Sequence, residues 1–195
     1  MPRVIGGVAG GRRLAVPAGR HTRPTSDRAR EGLFGTLLAL CGSMDGRRVL
    51  DLYAGSGAVG LEALSRGAGH VLFVEADPRA ARVIRDNLET VGLPGGELVT
   101  DRVDRLLARG PGPGRYDLVV ADPPYAVPGE EVTGTLTALA GRGWLAPGAV
   151  VAVERDTRSG AVSWPAGYTP ERSRRYGDTT FWYGLAADGC PSGRA

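Results

Sequence analysis

Two kinds of hydrophobic pattern alternate along the chain from residue 47 onward. Short apolar runs rich in Val and Leu have the length and composition of buried strands, whereas the segments between them carry apolar residues at helical spacing. The runs predict strands at 47–53, 70–76, 97–100, 116–122 and 148–155, and the intervening segments predict helices at 58–67, 78–91, 103–109 and 128–141. Repeated strand–helix units predict a parallel sheet with helices on both faces.

The pattern differs on either side of this alternating region. Residues 3–17 hold two apolar runs around glycines, which predict a small irregular β-hairpin, and a helix follows over Asp27–Leu40. Residues 168–185 lack a helical period and predict two strands joined at Tyr176-Gly177-Asp178. We therefore expect three parts: a basic N-terminal extension at 1–42, the main domain at 43–185 and a disordered tail at 186–195.

The excess of positive charge is confined to the N-terminus. All 24 basic residues are arginine, and the formal net charge is +3. Residues 1–30 contain seven arginines and one acid, whereas the other 165 residues carry 17 arginines and 20 acids. A basic arm on a mildly acidic body suggests contact with a polyanion, and nucleic acid is the one we expect. The candidate phosphate contacts are Arg12, Arg13, Arg20 and Arg23, although a solvated arm without a partner has the same composition.

Length and composition exclude several classes of protein. A chain of 195 residues fits one domain, and it has neither an apolar run of transmembrane length nor the apolar region of a signal peptide. Cys41 and Cys190 are far apart and lack metal-site spacing, which favours a reducing cytoplasm. With only two histidines, we expect no metal site and no Ser-His-Asp triad. Nothing in the sequence indicates an obligate oligomer, so we expect a monomer.

A stiff loop rich in hydrogen-bond acceptors follows the fourth predicted strand. In Asp122-Pro123-Pro124-Tyr125, two prolines fix two φ angles and remove two backbone donors, which leaves carbonyl groups free to accept. Asp122 adds a carboxylate, and Tyr125 adds a ring for stacking. An acceptor pair beside a ring suits a planar base with an exocyclic amine, so Asp122, Pro123 and Tyr125 are candidate catalytic residues. A turn that only ends a strand has the same residue preferences, so the tetrapeptide alone leaves both interpretations open.

A glycine-rich loop joins the first predicted strand to the helix after it. Gly55, Gly57 and Gly60 satisfy G-x-G-x-x-G, and Glu75 lies 20 residues after Gly55 at the end of the second strand. This combination predicts a nucleotide site in which glycines permit close approach and Glu75 accepts from ribose hydroxyls. The candidate cofactor contacts at these two strand ends are Asp51, Tyr53, Ala54, Gly55, Gly57, Glu75 and Ala76.

The charge of Asp51 separates two possible cofactors. NAD brings a pyrophosphate, which a carboxylate repels, whereas S-adenosylmethionine (AdoMet) brings an ammonium and a sulfonium group. One such opposite-charge pair at about 4 Å is worth roughly 4 kcal/mol before desolvation. We therefore expect AdoMet, with an NAD-dependent oxidoreductase as the alternative. After the third strand, Asp101 and Asp104 are both candidates for an adenine contact, and either can instead cap a helix.

Several motifs together resemble those of one known family. RVIGG…GRRLAVP, RPTSDRAREGLF, DLYAGSGAVGLEALSRGA, VEADPRA and ADPPY occur in the order seen in the RsmD family, and RRYGDTTFWYG resembles that family's closing hairpin. The resemblance runs from about Arg3 to Gly184. The glycine loop and DPPY are shared by many AdoMet enzymes, whereas RPTSDRAREGLF is the more specific block. One departure is that the family's usual acid in the third-strand loop falls on Arg102.

The resemblance implies a class I AdoMet-dependent methyltransferase fold, in which an antiparallel C-terminal hairpin closes a mostly parallel α/β sheet. The RsmD family comprises bacterial 16S rRNA guanine-N2 methyltransferases, so it implies the small ribosomal subunit as partner and the N2 amine of a guanine as methyl acceptor. Thr25 and Asp27, in the family-specific block, are implied to fold over the cofactor. DPPY alone does not separate guanine from adenine, so methylation of an adenine N6 amine or of another RNA amine is an open alternative. A non-catalytic RNA-binding protein is a further alternative.

Overall fold

A seven-stranded sheet forms the centre of the computed structural model, which describes residues 2–17 and 26–187. The strands are β1 (Arg48–Leu52), β2 (His70–Glu75), β3 (Gly96–Thr100), β4 (Tyr116–Ala121), β5 (Leu145–Asp156), β6 (Tyr168–Tyr176) and β7 (Thr179–Ala186). Their order in the sheet is β3-β2-β1-β4-β5-β7-β6. The first five strands are parallel, and β7 runs antiparallel to both β5 and β6. The predicted sheet with its closing hairpin is therefore confirmed.

Helices cover both faces of the sheet. They are α1 (Asp27–Cys41), α2 (Ala58–Ser65), α3 (Pro78–Val91), α4 (Val103–Arg109) and α5 (Gly129–Gly141), with a short 3₁₀ turn at Thr157–Ser159. Phe34 of α1 and Ile84 of α3 are buried in one core with Phe73 of β2. Leu107 of α4 and Leu136 of α5 are buried in a second core on the opposite face. This two-faced packing is what the strand–helix alternation predicted.

β5 begins three residues earlier than the apolar pattern predicted. Tyr116 of β4 pairs with Leu145, but Leu118 pairs with Val150, so the register shifts between the two pairs. Pro147 lies in this interval and has no backbone N–H, and Gly148 has a φ of 68°. Both features interrupt a ladder and produce a bulge. The sequence pattern revealed only the regular part of the strand that follows the bulge.

Short-range capping sets the ends of two helices. The Ser26 hydroxyl accepts a hydrogen bond from the Ala29 amide at 3.1 Å and starts α1. The Asp77 carboxylate accepts from the Arg79 amide at 3.0 Å and starts α3, which ends at Gly92 with a φ of 64°. Both caps involve residues close in sequence, which is why local sequence patterns can indicate where such helices begin and end.

The N-terminal segment packs directly on α2. An isolated antiparallel bridge joins Arg3 and Arg13, which agrees with the predicted irregular hairpin. Glu62 of α2 is fully buried and accepts from the amides of Ile5 at 2.7 Å and Gly6 at 2.8 Å. A buried carboxylate that satisfies two backbone donors fixes this segment on the helix.

Some predicted features lie outside the described residues, which omit residue 1, 18–25 and 188–195. These include three candidate site residues, Arg20, Arg23 and Thr25, and most of the expected tail at 186–195. The division of the chain at residue 42 stays a prediction. Across 2–17 and 26–187, no helix is long and apolar enough to cross a membrane.

Candidate active site

Four acidic residues form a row at the C-terminal edge of the sheet. Glu75 ends β2, Asp51 lies in β1, Asp122 follows β4 and Glu154 lies in β5, and these four strands are neighbours in that order. Each acid comes two residues after a side chain buried in the core shared with α1, α2 and α3, namely Phe73, Val49, Val120 and Ala152. Because side chains alternate between the faces of a strand, all four carboxyl groups lie on that side of the sheet. We call these four residues the acidic row.

Asp51 lies beneath the glycine loop rather than on an open surface. Its side chain is 3% exposed, and its Oδ2 accepts from the Gly60 amide at 2.9 Å. Burial raises the pKa of Asp51 to about 8, the Gly60 hydrogen bond opposes that shift, and the charge of Glu75 adds to it. A cation bound nearby would favour the ionised form and lower this pKa.

Glu75 connects the glycine loop to the start of α3. Its Oε2 accepts from the Gly55 amide and its Oε1 from the Asp77 amide, both at 2.8 Å. A carboxylate can accept more than two hydrogen bonds, so its acceptor role is not confined to these two amides. Glu75 and Ala76 both line a cavity at this edge of the sheet, and their assignment to the cofactor stays a prediction.

The loop after β1 has an unusual backbone conformation. Tyr53 has a φ of 61°, and it is the one described residue other than glycine with a positive φ. Gly55 and Gly57 follow with φ of 60° and 77°. Such a succession is costly for residues with a side chain and is typical of functional loops. Tyr53 and Gly55 line the cavity, whereas Ala54 turns back to the sheet, where its amide donates to the carbonyl of Val74 at 3.0 Å.

Asp122 begins the loop after β4, and its amide still donates to Leu52 at 3.3 Å. Asp122 lines the cavity together with Pro123 and Tyr125, so the three candidate catalytic residues lie together. Burial raises the pKa of Asp122 well above its ordinary value, and the charges of Glu154 and Asp51 add to this shift. Asp122 is therefore a strong hydrogen-bond acceptor once ionised, because a weaker acid is a stronger base.

The DPPY loop is held from two sides. The Val127 amide donates to the Pro124 carbonyl at 2.8 Å, which closes a turn after the two prolines. Arg155 of β5, a buried residue, donates from Nη2 to the carbonyl of Val127 at 3.0 Å. Tyr125 is 48% exposed, and its phenol interacts with the Thr179 hydroxyl at the start of β7. The ring of Tyr125 thus stands at the mouth of the cavity on an anchored loop.

One cavity of about 670 Å³ joins the glycine loop to the DPPY loop. It lies at the C-terminal ends of β1, β2 and β4, where ligands bind in open α/β sheets. Helices α4 and α5 close its far side along much of their length, with Val103 and Thr135 among the lining residues. A volume of this size accommodates a nucleoside-sized ligand.

The loop after β3 places its charged residues differently from the sequence expectation. Asp101 pairs with Arg109 of α4 and does not line the cavity. Arg102 and Asp104 do line it, joined by hydrogen bonds at 2.9 and 3.0 Å. Of the two acids that the sequence left open as adenine contacts, Asp104 is therefore the one at the cavity.

Two other candidates make intramolecular contacts away from the cavity. Asp27, at the start of α1, pairs with Arg30 at 3.0 Å and with Arg3 at 3.7 Å. Arg12 donates to the carbonyl groups of Thr90, at 3.0 Å, and Val91, at the end of α3. Arg13 is exposed. The assignments of Asp27 to the cofactor and of Arg12 and Arg13 to RNA stay predictions.

Sequence reasoning overlooked Glu154, although a signal for it existed. An acid that ends the apolar run AVVAV in a central strand repeats the arrangement of Glu75 after HVLFV. Its Oε1 accepts from the Thr179 hydroxyl at 3.2 Å, so it connects β5 to the closing hairpin. What the sequence lacked was the strand order, which makes β5 the neighbour of β4.

Within the described residues, no group of three or more His, Cys, Asp or Glu side chains is arranged to hold a metal ion.

The sheet order, the glycine loop and the DPPY edge define a class I AdoMet-dependent methyltransferase fold. Among solved structures, yhhF from Escherichia coli superposes with a TM-score of 0.83 at 32% identity, covering 96% of this chain and 98% of that chain. HI0767 from Haemophilus influenzae gives a TM-score of 0.78 at 27% identity, covering 95% and 98%.

Sequence relatives identify the family within this class. A family model described as conserved hypothetical protein 95 matches residues 2–184. The chain is 35% identical over 179 residues to "Ribosomal RNA small subunit methyltransferase D" from Escherichia coli strain K12, covering 92% of this chain and 87% of that protein. It is 33% identical over 156 residues to the protein of the same name from Haemophilus influenzae, covering 79% and 78%. The chain therefore belongs to the conserved hypothetical protein 95 family, which is the RsmD family.

Proposed function

We propose that this protein transfers a methyl group from AdoMet to the exocyclic N2 amine of a guanine in 16S rRNA of the small ribosomal subunit. The observation that carries the proposal is the common cavity, which brings the glycine loop of a nucleotide site to the acceptor loop Asp122–Tyr125. Family membership supports the substrate class, because the relative from Escherichia coli is named a small-subunit rRNA methyltransferase and is similar along 92% of this chain.

The residues around the glycine loop fit AdoMet. When bound, AdoMet supplies an electrophilic methyl group. Gly55 lines the cavity with a positive φ and leaves room for close approach of the ligand to the backbone, and the Glu75 carboxylate can accept from ribose hydroxyls. Gly57 does not line the cavity, and a Cβ there would instead meet the core side chains Phe73 and Ile84. The acidic row favours a cationic ligand and disfavours the pyrophosphate of NAD. Asp51 supports the loop from below and adds negative charge when ionised.

The DPPY loop activates the amine. The lone pair of a guanine N2 amine is delocalised into the ring, which makes the nitrogen a poor nucleophile. Hydrogen bonds from the amine to the Asp122 carboxylate and the Pro123 carbonyl draw the nitrogen toward tetrahedral geometry and localise that pair. The same two acceptors stabilise the positive charge that develops on the nitrogen during transfer. Alignment of the amine with the methyl group supplies much of the remaining acceleration.

Tyr125 stacks on the target base. The ring is half exposed on a loop fixed by Arg155 and Thr179, so it presents a flat surface beside the acceptors. A base inside a helical stack cannot reach such a cavity, so the target nucleotide turns out of its stack to enter. Stacking on an aromatic ring is worth about 1–3 kcal/mol per base, which offsets part of the cost of unstacking.

The direct test is methyl transfer from labelled AdoMet to small ribosomal subunits that lack the modification, followed by mapping of the methylated nucleotide. N2-methylguanosine at one position of 16S rRNA is the expected product. N6-methyladenosine would keep the reaction and replace the substrate. If no methyl is transferred and a calorimetric titration shows no AdoMet binding, the proposal is wrong. The glycine loop would then favour the alternative of an NAD-dependent oxidoreductase.

A further inference from the structure

β6 is an edge strand with an exposed, basic face. It pairs with β7 on one side and has no strand on the other, and its seven residues from Thr169 to Arg175 are all exposed. These seven residues include three arginines and one acid, Glu171. Arg175 is occupied locally, since its Nε donates to the Gly177 carbonyl at 2.8 Å. Arg172 and Arg174 form no ion pair with any other residue in the described ranges.

Arg172 and Arg174 project from the same face of the sheet as the acidic row. Arg172 lies opposite Tyr183 and Arg174 opposite Phe181 in β7, and both of these rings are buried in the core shared with α1. Paired residues on antiparallel strands point to the same face. The two arginines therefore stand on the α1 side, about 6.8 Å apart along the strand.

The same face continues from the arginines to α1. Tyr176 comes two residues after Arg174 and packs so closely on Gly32 of α1 that a Cβ at Gly32 would lie 2.1 Å from the phenol oxygen. Arg28 is exposed and lies one helical turn before Gly32 on the same side of α1. Arg172, Arg174 and Arg28 thus border one continuous surface, which we call the β6 basic surface.

The β6 basic surface leads to the DPPY loop. Tyr176 pairs with Thr179 across the tip of the closing hairpin. The Thr179 hydroxyl donates to Glu154 of the acidic row and interacts with the phenol of Tyr125. The hairpin tip is therefore shared between the basic surface and the ring at the mouth of the cavity.

We propose that the β6 basic surface binds the phosphate backbone of the rRNA that flanks the target nucleotide; this inference rests on the proposed function. The acidic row offers no cation to a phosphate inside the site, so the backbone needs cations beside the cavity while the base alone enters. Arg172, Arg174 and Arg28 supply such cations on the face where Asp122 and Tyr125 lie. Contacts of this kind position RNA without reading its sequence.

The test compares two pairs of substitutions that remove the same charge. Arg172→Gln/Arg174→Gln removes two arginines from the surface, and Arg82→Gln/Arg105→Gln removes two exposed arginines from α3 and α4, away from β6. Binding to unmodified 16S rRNA is measured from low to high salt for wild type and both variants. Loss of two phosphate contacts reduces the slope of log K against log salt by about 1.5. We expect this reduction in the β6 variant alone, with a raised KM for RNA, an unchanged kcat and unchanged AdoMet affinity.

Charged residues on an edge strand also prevent strand pairing between molecules, so self-association is monitored by sedimentation. Arg172→Glu/Arg174→Glu keeps the edge charged and reverses its sign, and we expect it to bind RNA more weakly than the Gln variant. An unchanged salt slope in the β6 variants, or an equal reduction of the slope in the control variant, would refute the proposal that this surface binds RNA. The two proposals fail separately: a wild type that binds AdoMet but methylates no 16S rRNA refutes the function, whereas normal methylation with unaltered RNA binding in the Glu variant refutes only the surface.

Discussion

The Oδ2 atom of Asp51 lies 2.9 Å from the amide nitrogen of Gly60, and this hydrogen bond joins the end of β1 to the first turn of α2. The N-cap of α2 is Gly57, which has no side chain to accept from the first amides of the helix. Asp51 supplies the missing acceptor from nine residues away and places a carboxyl group at the positive end of the helix. The acid at the strand end thus shapes the glycine loop that sits over it.

Asp51 should make the stability of the protein depend on pH in a defined window. Its pKa rises from the ordinary 3.8 to about 8 on folding, mainly through burial. Because the folded state retains a proton that the unfolded state loses, stability falls as the pH rises from about 4 to 8, by at most about 1.4 kcal/mol per pH unit. Asp51→Asn retains an acceptor for Gly60 and cannot ionise. The difference in unfolding free energy between this variant and wild type should therefore move in favour of the variant as the pH rises across this window. Chemical denaturation at pH 5, 7 and 9 measures the difference.

Asp122→Asn should separate chemistry from cofactor binding. The amide keeps the shape of the side chain but loses the charge that accepts from the amine and stabilises the transition state. We expect kcat to fall by about 10²–10³-fold, the range for loss of one preorganised electrostatic contact. AdoMet affinity, measured by calorimetry, should stay within a few-fold of wild type. Full activity of this variant would exclude Asp122 from the reaction.

Glu154→Gln should move the pH profile of the same reaction. The charge of Glu154 is one of the causes that raise the pKa of Asp122, after burial. Activity is lost as the pH falls through the pKa of Asp122, because the protonated carboxyl no longer carries the charge. Removal of the Glu154 charge lowers that pKa, so the acid limb of kcat should shift to lower pH, with a similar plateau at high pH. A profile identical to wild type would mean that the two carboxyl groups do not interact.

The parts of the site that the sequence predicted are those that depend on neighbours along the chain. Alternation along β1 and β2 was enough to place Asp51 and Glu75 at strand ends, and DPPY follows β4 directly. Glu154 was overlooked because it joins the site only if β5 lies beside β4. The sequence between two parallel strands does not show which strands are neighbours in the sheet. The contacts of Arg12 are equally remote, since Thr90 and Val91 lie 78 and 79 residues away.

Substitutions at the adjacent residues Arg12 and Arg13 can distinguish a contribution to stability from a contribution to RNA binding. Arg12→Ala removes hydrogen bonds to the last carbonyl groups of α3, so we expect a loss of about 1 kcal/mol in unfolding free energy. Arg13→Ala changes an exposed side chain and should leave stability within about 0.5 kcal/mol. Urea unfolding gives both values, and RNA titrations on the same samples show whether either arginine contributes to binding. Equal stability of the two variants would contradict the capping contact.

Gly60 and Gly35 allow a matched test of packing between the glycine loop and the sheet. A Cβ at Gly60 would lie 2.2 Å from the Phe73 ring and 2.8 Å from Val71, so Gly60→Ala must push α2 away from β2. Overpacking of this kind costs about 1–3 kcal/mol, and it also displaces the amide that Asp51 holds. Gly35 lies in α1 with open space around the same atom, so Gly35→Ala should instead stabilise the protein by about 0.5–1 kcal/mol.

Thermal unfolding with and without AdoMet distinguishes the two effects. Gly60→Ala should lower both the Tm and the increase in Tm that AdoMet causes. Gly35→Ala should raise the Tm and leave the increase caused by AdoMet unchanged. A Gly60→Ala protein with full AdoMet affinity would show that the loop tolerates a shift of α2.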